Sequence, residues 1–375
     1  MKIAIIPSWY NSPQAPSRGS FIRVQAEGLS ARGHEISMIV LDRDSDSKLF
    51  GINRTLENGL HCTRISVPAP MHRLFGFYMP KVLSKIVRTE IQKIKPELVH
   101  AHAARPAGVV AQYALTNLDI PYVLTEHSGP LKAFWWTAHG KRQIARSYEK
   151  SKRLFAVSKC LKNEMLQQFG NSAATTKVLY NGINTDLFSY KGKPPYEGKF
   201  LFIGGLEPKK GLDILLTAFA RLPSEFKWSL TVVGQGHLLG RLRQIASNLK
   251  ISDRICWVGS VEHEHMAKIY SEHDFTVVPS IHETFSLVCA EALACGRPVI
   301  AARCGGPEEV IPKGGGILVP VGDVAALASA LLDALSGEID FDAQKNIDYV
   351  VNTFSLDRLI DELENVYTNL IESGE

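Results

Sequence analysis

Two carboxylates, Glu283 and Glu291, lie in the stretch Glu-Thr-Phe-Ser-Leu-Val-Cys-Ala-Glu-Ala-Leu-Ala-Cys-Gly. Ahead of it, Phe275-Thr-Val-Val-Pro-Ser280 is apolar and β-branched and reads as a buried parallel strand. Behind it, Pro298-Val-Ile-Ala-Ala302 reads as the next strand. Between them, Phe285 to Cys295 is rich in Ala and Leu and stops at Gly296, which predicts a helix with a glycine terminus. The turn therefore sits at the carboxyl end of a strand, where open α/β sheets bind ligands. Eight helical steps of roughly 100° each leave about 80° beyond two turns, so both carboxylates are expected to reach one cleft. The amides of Thr284, Phe285, Ser286 and Leu287 are expected to be unpaired first-turn donors, suited to phosphate. An anion site flanked by two hydroxyl acceptors describes a sugar nucleotide. The bland reading is an amphipathic helix with one solvated and one capping glutamate.

A second group of candidates is histidine. Glu97-Leu-Val-His-Ala-His-Ala103 predicts a strand whose alternation puts His100 and His102 on one face. Pro121-Tyr-Val-Leu-Thr-Glu-His127 predicts the next strand, with His127 at its end. Three histidines at strand ends are possible ligands of a metallohydrolase. Glu262-His-Glu-His265 looks like a metal cluster but opens a helix, where capping and solvation are favoured. Asp42-Arg-Asp-Ser-Asp46 reads as a solvated connector, and no metal is assigned to it.

Glycine loops add a third signal. Gly19 opens a helix predicted over Phe21 to Arg32, where a glycine lets backbone approach a phosphate or sugar. Gly234-Gln-Gly-His-Leu-Leu-Gly240 approaches a dinucleotide fingerprint. No acidic residue closes the following strand at Ile255 to Val258, as ribose recognition by NAD requires.

Glu283, seven residues, then Glu291 resembles the E-x7-E motif of retaining glycosyltransferases with the two-domain GT-B fold. The Ala-Leu-Ala-Cys-Gly-Arg-Pro-Val-Ile that follows is similar to glycosyltransferase family 4. The resemblance extends over nearly the whole chain and is strongest from 200 to 320. Pro-Ser-Trp-Tyr with Arg-Gly-Ser-Phe-Ile-Arg resembles the opening of polysaccharide-building members. Gly204-Gly-Leu-Glu-Pro-Lys-Lys-Gly211 resembles the pattern G-R-L-x-x-x-K-G, with Lys210 at the lysine that holds the donor diphosphate. Gly205 stands where the family has arginine, so Lys209 or Arg18 would have to replace that charge. Val258-Gly259-Ser-Val matches the loop beside the nucleotide base. His-Ala-His-x-x-x-Pro, with Arg105 inside it, matches the acceptor-cleft strand, and His127 matches the histidine that contacts the donor sugar.

What the resemblance implies is an α/β GT-B protein, two doubly wound Rossmann-like domains facing a cleft. The expected division is an acceptor domain at 1–188, a linker at 189–198 and a nucleotide-sugar domain at 199–355. The final helix, about 356–372, is expected to cross back onto the first domain. The implied function is hexose transfer from a UDP-, GDP- or ADP-sugar to a glycan or lipid-linked acceptor in surface polysaccharide biosynthesis. The implied chemistry is retention of configuration, with no cofactor and no metal. Catalytic roles fall to His127, Glu283 and Lys210. Donor binding falls to Gly19, Gly205, Lys209, Gly259, Thr284, Phe285, Ser286, Leu287 and Glu291. His100, His102 and Arg105 line the acceptor cleft. The alternatives are a metal-dependent hydrolase using His100, His102 and His127, and a sugar-nucleotide binder without transfer.

Size and charge fit this frame. A chain of 375 residues, 45% hydrophobic, is long enough for two cores. Its six cysteines show no C-x-x-C pair, so reduced thiols in the cytoplasm are expected. The first residues hold too short an apolar run for a signal peptide. Residues 1–190 carry 25 Lys+Arg against 13 Asp+Glu, net +12, whereas 191–375 carry 17 against 25, net -8. The basic half suggests an anionic partner, and no nucleic acid is expected. Met71 to Pro80, with Phe75, Phe77 and Tyr78, precedes a helix carrying Lys81, Lys85, Arg88, Lys93 and Lys95. That pairing fits a peripheral surface resting on anionic lipid, with Trp135, Arg142 and Arg146 extending it. It fits equally a partly buried helix with a basic outer face.

Overall fold

The protein is described here by a computed structural model, which defines residues 1–12, 18–42, 51–67, 79–134, 137–190, 192 and 196–373. The chain divides into two compact units, Met1–Gly182 with Leu356–Glu375, and Ile183–Ser355.

The first unit is built on an eight-stranded sheet. Its strands are β1 (Lys2–Pro7), β2 (Glu35–Asp42), β3 (Gly51–Glu57), β4 (Leu60–Ser66), β5 (Leu98–His102), β6 (Tyr122–Glu126), β7 (Arg153–Ala156) and β8 (Lys177–Val178). They lie in the order β3-β4-β2-β1-β5-β6-β7-β8. All neighbours are parallel except β3 and β4, a hairpin that the apolar pattern does not announce. The pattern is silent because β3 is an edge strand exposed along its length, with Leu56 67% accessible. Central strands are the opposite: Ile3, Ile5, Leu98 and Val123 are fully buried, as strands covered by helices on both faces must be.

The helix Leu356–Ser373 belongs to this unit. Leu359, Ile360, Leu363, Tyr367 and Leu370 recur at helical spacing and enter the core with Ile22, Ala26 and Leu29 of the helix Ser20–Ala31. Gly28 lets the two helices approach, since a Cβ there would stand 3.2 Å from Ile360. Arg32 bonds Asp357 and Asp361 at 3.0 Å, and His34 meets Glu364 at 2.7 Å.

The second unit holds a six-stranded, all-parallel sheet: β9 (Lys199–Ile203), β10 (Ser229–Val233), β11 (Ile255–Gly259), β12 (Phe275–Val278), β13 (Val299–Ala302) and β14 (Gly316–Val319). The order is β11-β10-β9-β12-β13-β14. Strand order reverses beside β1 in the first sheet and between β9 and β12 in the second, and ligands bind at the carboxyl ends of such switch points. His102 ends β5 beside β1. The loops bearing Lys210 and Glu283 follow β9 and β12.

The Arg32 pairs are exposed, whereas Leu363 is wholly buried. Leu363→Ala should therefore lower stability by roughly 3 kcal/mol, and Arg32→Ala by far less, since solvent screens its pairs. Urea unfolding of both variants checks this; equal losses would mean the helix is held by its charges instead.

Candidate active site

The site in the second unit starts from two loops that only a glycine allows to meet. Gly211, at φ +65°, begins the helix Leu212–Phe219, and a Cβ there would stand 2.2 Å from the Pro279 carbonyl oxygen. Ile281 N donates to the Lys209 carbonyl at 2.8 Å, fixing the register of the pair. Lys210 Nζ is thereby brought 2.7 Å from Glu283 Oε1, which also accepts from Ser280 Oγ at 2.7 Å. The partners are 21% and 15% exposed, so the pair lies at a protein surface with one side open. Lys209 points outward and pairs with Glu207 at 3.4 Å. At Gly205 a Cβ would meet Glu207 at 3.7 Å, ordinary contact, so packing does not demand glycine at this position.

Glu283 is not helical. Its residue bridges Gly305, and Gly306 N donates to its carbonyl at 2.9 Å. Gly306 lies so close to Phe285 that a Cβ would stand 2.4 Å from that backbone. The helix runs over Leu287–Ala294, starting two residues later than the Ala and Leu content suggests. Ser286, at φ +79°, caps it, and its hydroxyl donates to Cys289 Sγ at 3.0 Å. The first-turn amides thus begin at Leu287, not at Thr284. Phe285 is buried against Phe354. The reckoning of eight helical steps between the carboxylates fails for the same reason, because only the last four lie in the helix.

Glu291 is 8% exposed and faces the helix Met266–Ser271. Tyr270 Oη donates to its Oε2 at 2.8 Å, and His263 Nε2 lies 3.6 Å from its Oε1. Burial pushes the carboxyl up to about 7, and the Tyr270 hydrogen bond offsets part of that rise. His263 stands edge-on to Phe188 at 5.2 Å. It is therefore one side of the Glu291 pocket, not the solvated cap expected from Glu262-His-Glu-His265. Sequence reading missed Ser280, Tyr270 and His263; only the last had a signal.

In the first unit the three histidines do come together, as a stack. His100 and His102 lie face to face with centroids 4.2 Å apart, and His102 stacks on His127 at 5.2 Å. His102 Nδ1 and His127 Nε2 share a hydrogen bond of 2.9 Å. His100 bonds Tyr367 Oη at 2.6 Å and Thr125 Oγ1 at 2.8 Å, and Gln25 reaches His102 Nε2 at 3.5 Å. Burial drives His102 down to about 3 and holds His100 and His127 well below the ordinary imidazole range, so the stack is neutral. Except for His127 Nδ1, which is buried without a hydrogen bond, the ring nitrogens bond one another and their neighbours. Among the described residues, no three His, Cys, Asp or Glu side chains converge as a metal site would. The hydrolase alternative therefore has no ligand set here.

Beneath His127 lies a residue that composition did not single out. Glu126, 1% exposed, accepts from the amides of Ala104, His127 and Ser128 and from Tyr148 Oη, at 2.9–3.0 Å. One carboxylate thus fixes the ends of both β5 and β6. Arg105 sits in the irregular turn Ala104–Gly108, half-buried. Gly19, at φ +69°, also lies where a Cβ would stand 2.7 Å from the Trp9 carbonyl oxygen, so both conformation and space require glycine. Gly259, at φ +83°, accepts from Gly234 N at 2.8 Å.

Comparison with known proteins agrees with this geometry. Residues 19–187 match the family model Glycosyltransferase Family 4, and 185–351 match Glycosyl transferases group 1. D-inositol 3-phosphate glycosyltransferase 2 of Catenulispora acidiphila is 32% identical over 292 residues, 69% of this chain and 68% of that protein. Sucrose-phosphate synthase from Thermosynechococcus elongatus superposes with a TM-score of 0.82 at 22% identity, covering 100% of both chains. HepE of Anabaena, solved with UDP, superposes with a TM-score of 0.79 at 19% identity, covering 99% of this chain and 100% of that one. With two α/β units of the GT-B kind and matches along both of them, the chain belongs to glycosyltransferase family 4.

Proposed function

We propose that this glycosyltransferase moves a hexose from a nucleotide sugar to a glycan or lipid-linked acceptor in surface polysaccharide biosynthesis. We further infer retention of configuration and no need for a divalent ion. The observation that carries the reading is the pairing of Lys210 with Glu283 at the β9/β12 switch point. A diphosphate leaving group needs positive charge, and a sugar needs hydroxyl acceptors. Lys210 supplies the first with its remaining N–H donors, helped by the helix start at Leu287. Glu283 supplies the second for the transferred sugar. Glu291, held by Tyr270, accepts from the ribose. His127, neutral and fixed by His102, orients the donor sugar as an uncharged hydrogen-bonding group.

The test is a transfer assay in EDTA with UDP-, GDP- and ADP-sugars, with the product anomer read by NMR. Turnover with one donor and a retained anomer is expected. Glu283→Ala should lower kcat by roughly 10²-fold while donor KM barely moves, because Lys210 is freed for phosphate. Glu291→Ala should instead raise donor KM on the order of tenfold, the effect of a lost charged hydrogen bond. Equal small effects from both changes would defeat the assignment.

The raised Glu291 acidity gives a pH test. Below the ordinary value of 4.5 the carboxyl is protonated whether folded or not. Its protonated form is favoured by the fold, so stability falls as pH rises from 4.5 to about 7 and levels off above that. Glu291→Gln should match wild type at low pH and exceed it above neutrality by on the order of 3 kcal/mol. Donor KM in wild type should fall as pH rises through that same range, because the ribose acceptor is the carboxylate. Urea melts and donor titration across pH check both; a constant offset between the two proteins would remove the titrating group.

The acceptor's setting is a further part of this proposal. Met71–Tyr78 and Trp135 lie outside the described residues. Lys81, Lys85, Arg142 and Arg146 are exposed, whereas Arg88 is occupied by the carbonyls of Ala114 and Thr116, at 3.1 and 2.6 Å. Lys93 is paired with Glu90 at 2.8 Å. No helix among the described residues is long and apolar enough to cross a membrane. We infer peripheral contact with anionic lipid through the four open cations, each contributing about 1 kcal/mol. Co-sedimentation with phosphatidylserine vesicles should fall with salt, and fall further in Lys81→Glu/Lys85→Glu. Equal pelleting of the two proteins would favour a soluble acceptor.

A further inference from the structure

The second unit holds a cavity of 420 Å³ whose lining includes Phe275, Arg297 and Pro298. These residues stand at the amino-terminal ends of β12 and β13, so the cavity opens at the sheet edge opposite Lys210 and Glu283. We propose that it is a second binding site, for a small organic anion: a carboxylate or phosphate monoester on an apolar body.

The argument rests on Arg297, which is 2% exposed. Its Nη2 donates to the carbonyl oxygens of Gly192 at 2.7 Å and Ser271 at 3.1 Å. Its Nε is buried and makes no hydrogen bond. Among the described residues it forms no ion pair. The carboxylate that reaches it electrostatically is Asp274, whose Oδ2 already accepts from the amides of Glu197 at 3.1 Å and Lys199 at 2.8 Å. A guanidinium taken from water without a partnering carboxylate is costly, and burial lowers its affinity for the proton accordingly. An anion entering the cavity relieves that cost.

The walls define the rest of the ligand. Phe275, Pro298, Leu335, Ile339 and Phe341 give apolar surface. Tyr190 closes one side by packing its ring against Gly296: a Cβ there would stand 2.4 Å from that ring. Tyr196, another wall, is pinned by its hydroxyl to the Ala334 carbonyl at 2.9 Å. The volume exceeds that of a simple inorganic ion, and the apolar wall suits a ring or short chain. Asp274, also in the lining, disfavours a second negative group and suits a hydroxyl or amine on the same ligand.

Phenyl phosphate is the probe, with phenol as its uncharged counterpart, read by thermal shift and titration calorimetry on the full chain. Phenyl phosphate should stabilise wild type, and phenol should do so far less. Arg297→Met and Ser336→Trp, the latter at the exposed cavity rim, should each weaken binding on the order of tenfold. Lys210→Ala, which disables the proposed diphosphate contact, should leave it unchanged. Loss in Lys210→Ala with retention in Arg297→Met would overturn the proposal, as the anion would then sit at the donor site. Equal response to phenol, or none to phenyl phosphate at millimolar concentration, would overturn it too. If Arg297→Met does not fold, Ser336→Trp and the phenol comparison decide.

Discussion

The second unit depends on a close approach of two loops across a strand-order reversal. Gly211 lies on the Pro279 carbonyl, and the Lys210 ammonium reaches the Glu283 carboxylate at 2.7 Å. Two charges of opposite sign there leave the pair nearly neutral. Each partner offsets the other's charge, where a lone buried charge would be expensive to desolvate. On the function proposed here, a ligand with both phosphate and hydroxyl groups addresses the two partners separately. A ligand with only one of these breaks the pair without replacing it, which is a source of discrimination.

The first unit solves a different problem, how to keep polar rings in a dry core. Four donors on Glu126 and a chain of ring contacts from Tyr367 to His127 satisfy groups that burial would otherwise penalise. Networks of this kind fix geometry because every member is held by another. His127 is thus oriented from two sides, through its amide by Glu126 and through its ring by His102.

Much of this was legible in the residues. The strands of both sheets announce themselves because buried parallel strands are continuous apolar runs, as at Phe275 to Val278. Glu283, Glu291 and the three histidines stand out by type and spacing, and Lys210 by its place in a loop that resembles the family pattern. The edge hairpin was not, because β3 is exposed and carries no apolar period. The start of the helix at Leu287 was not, because a serine at φ +79° is a local backbone choice that composition does not encode. Tyr270, His263 and Glu126 were hidden for a different reason. Each owes its place to a partner distant in sequence, such as Tyr270 to Glu291 and Glu126 to Ala104. Arg297 reads as one more cation in a strand-flanking turn until its burial is seen.

The last helix carries a consequence for how the chain is made. The second unit, Ile183–Ser355, is an insertion between parts of the first. A ribosome delivers Leu363, Tyr367 and Leu370 only after the whole inserted unit has emerged. At roughly 5–20 residues per second, the apolar face at Ile22, Ala26 and Leu29 waits on the order of ten seconds or more for its cover. During that interval the inserted unit, contiguous in sequence, is free to reach its own fold. The nascent first unit meanwhile exposes a greasy strip of the sort that chaperones hold. His100 likewise has no tyrosine hydroxyl to bond until Tyr367 itself has been made.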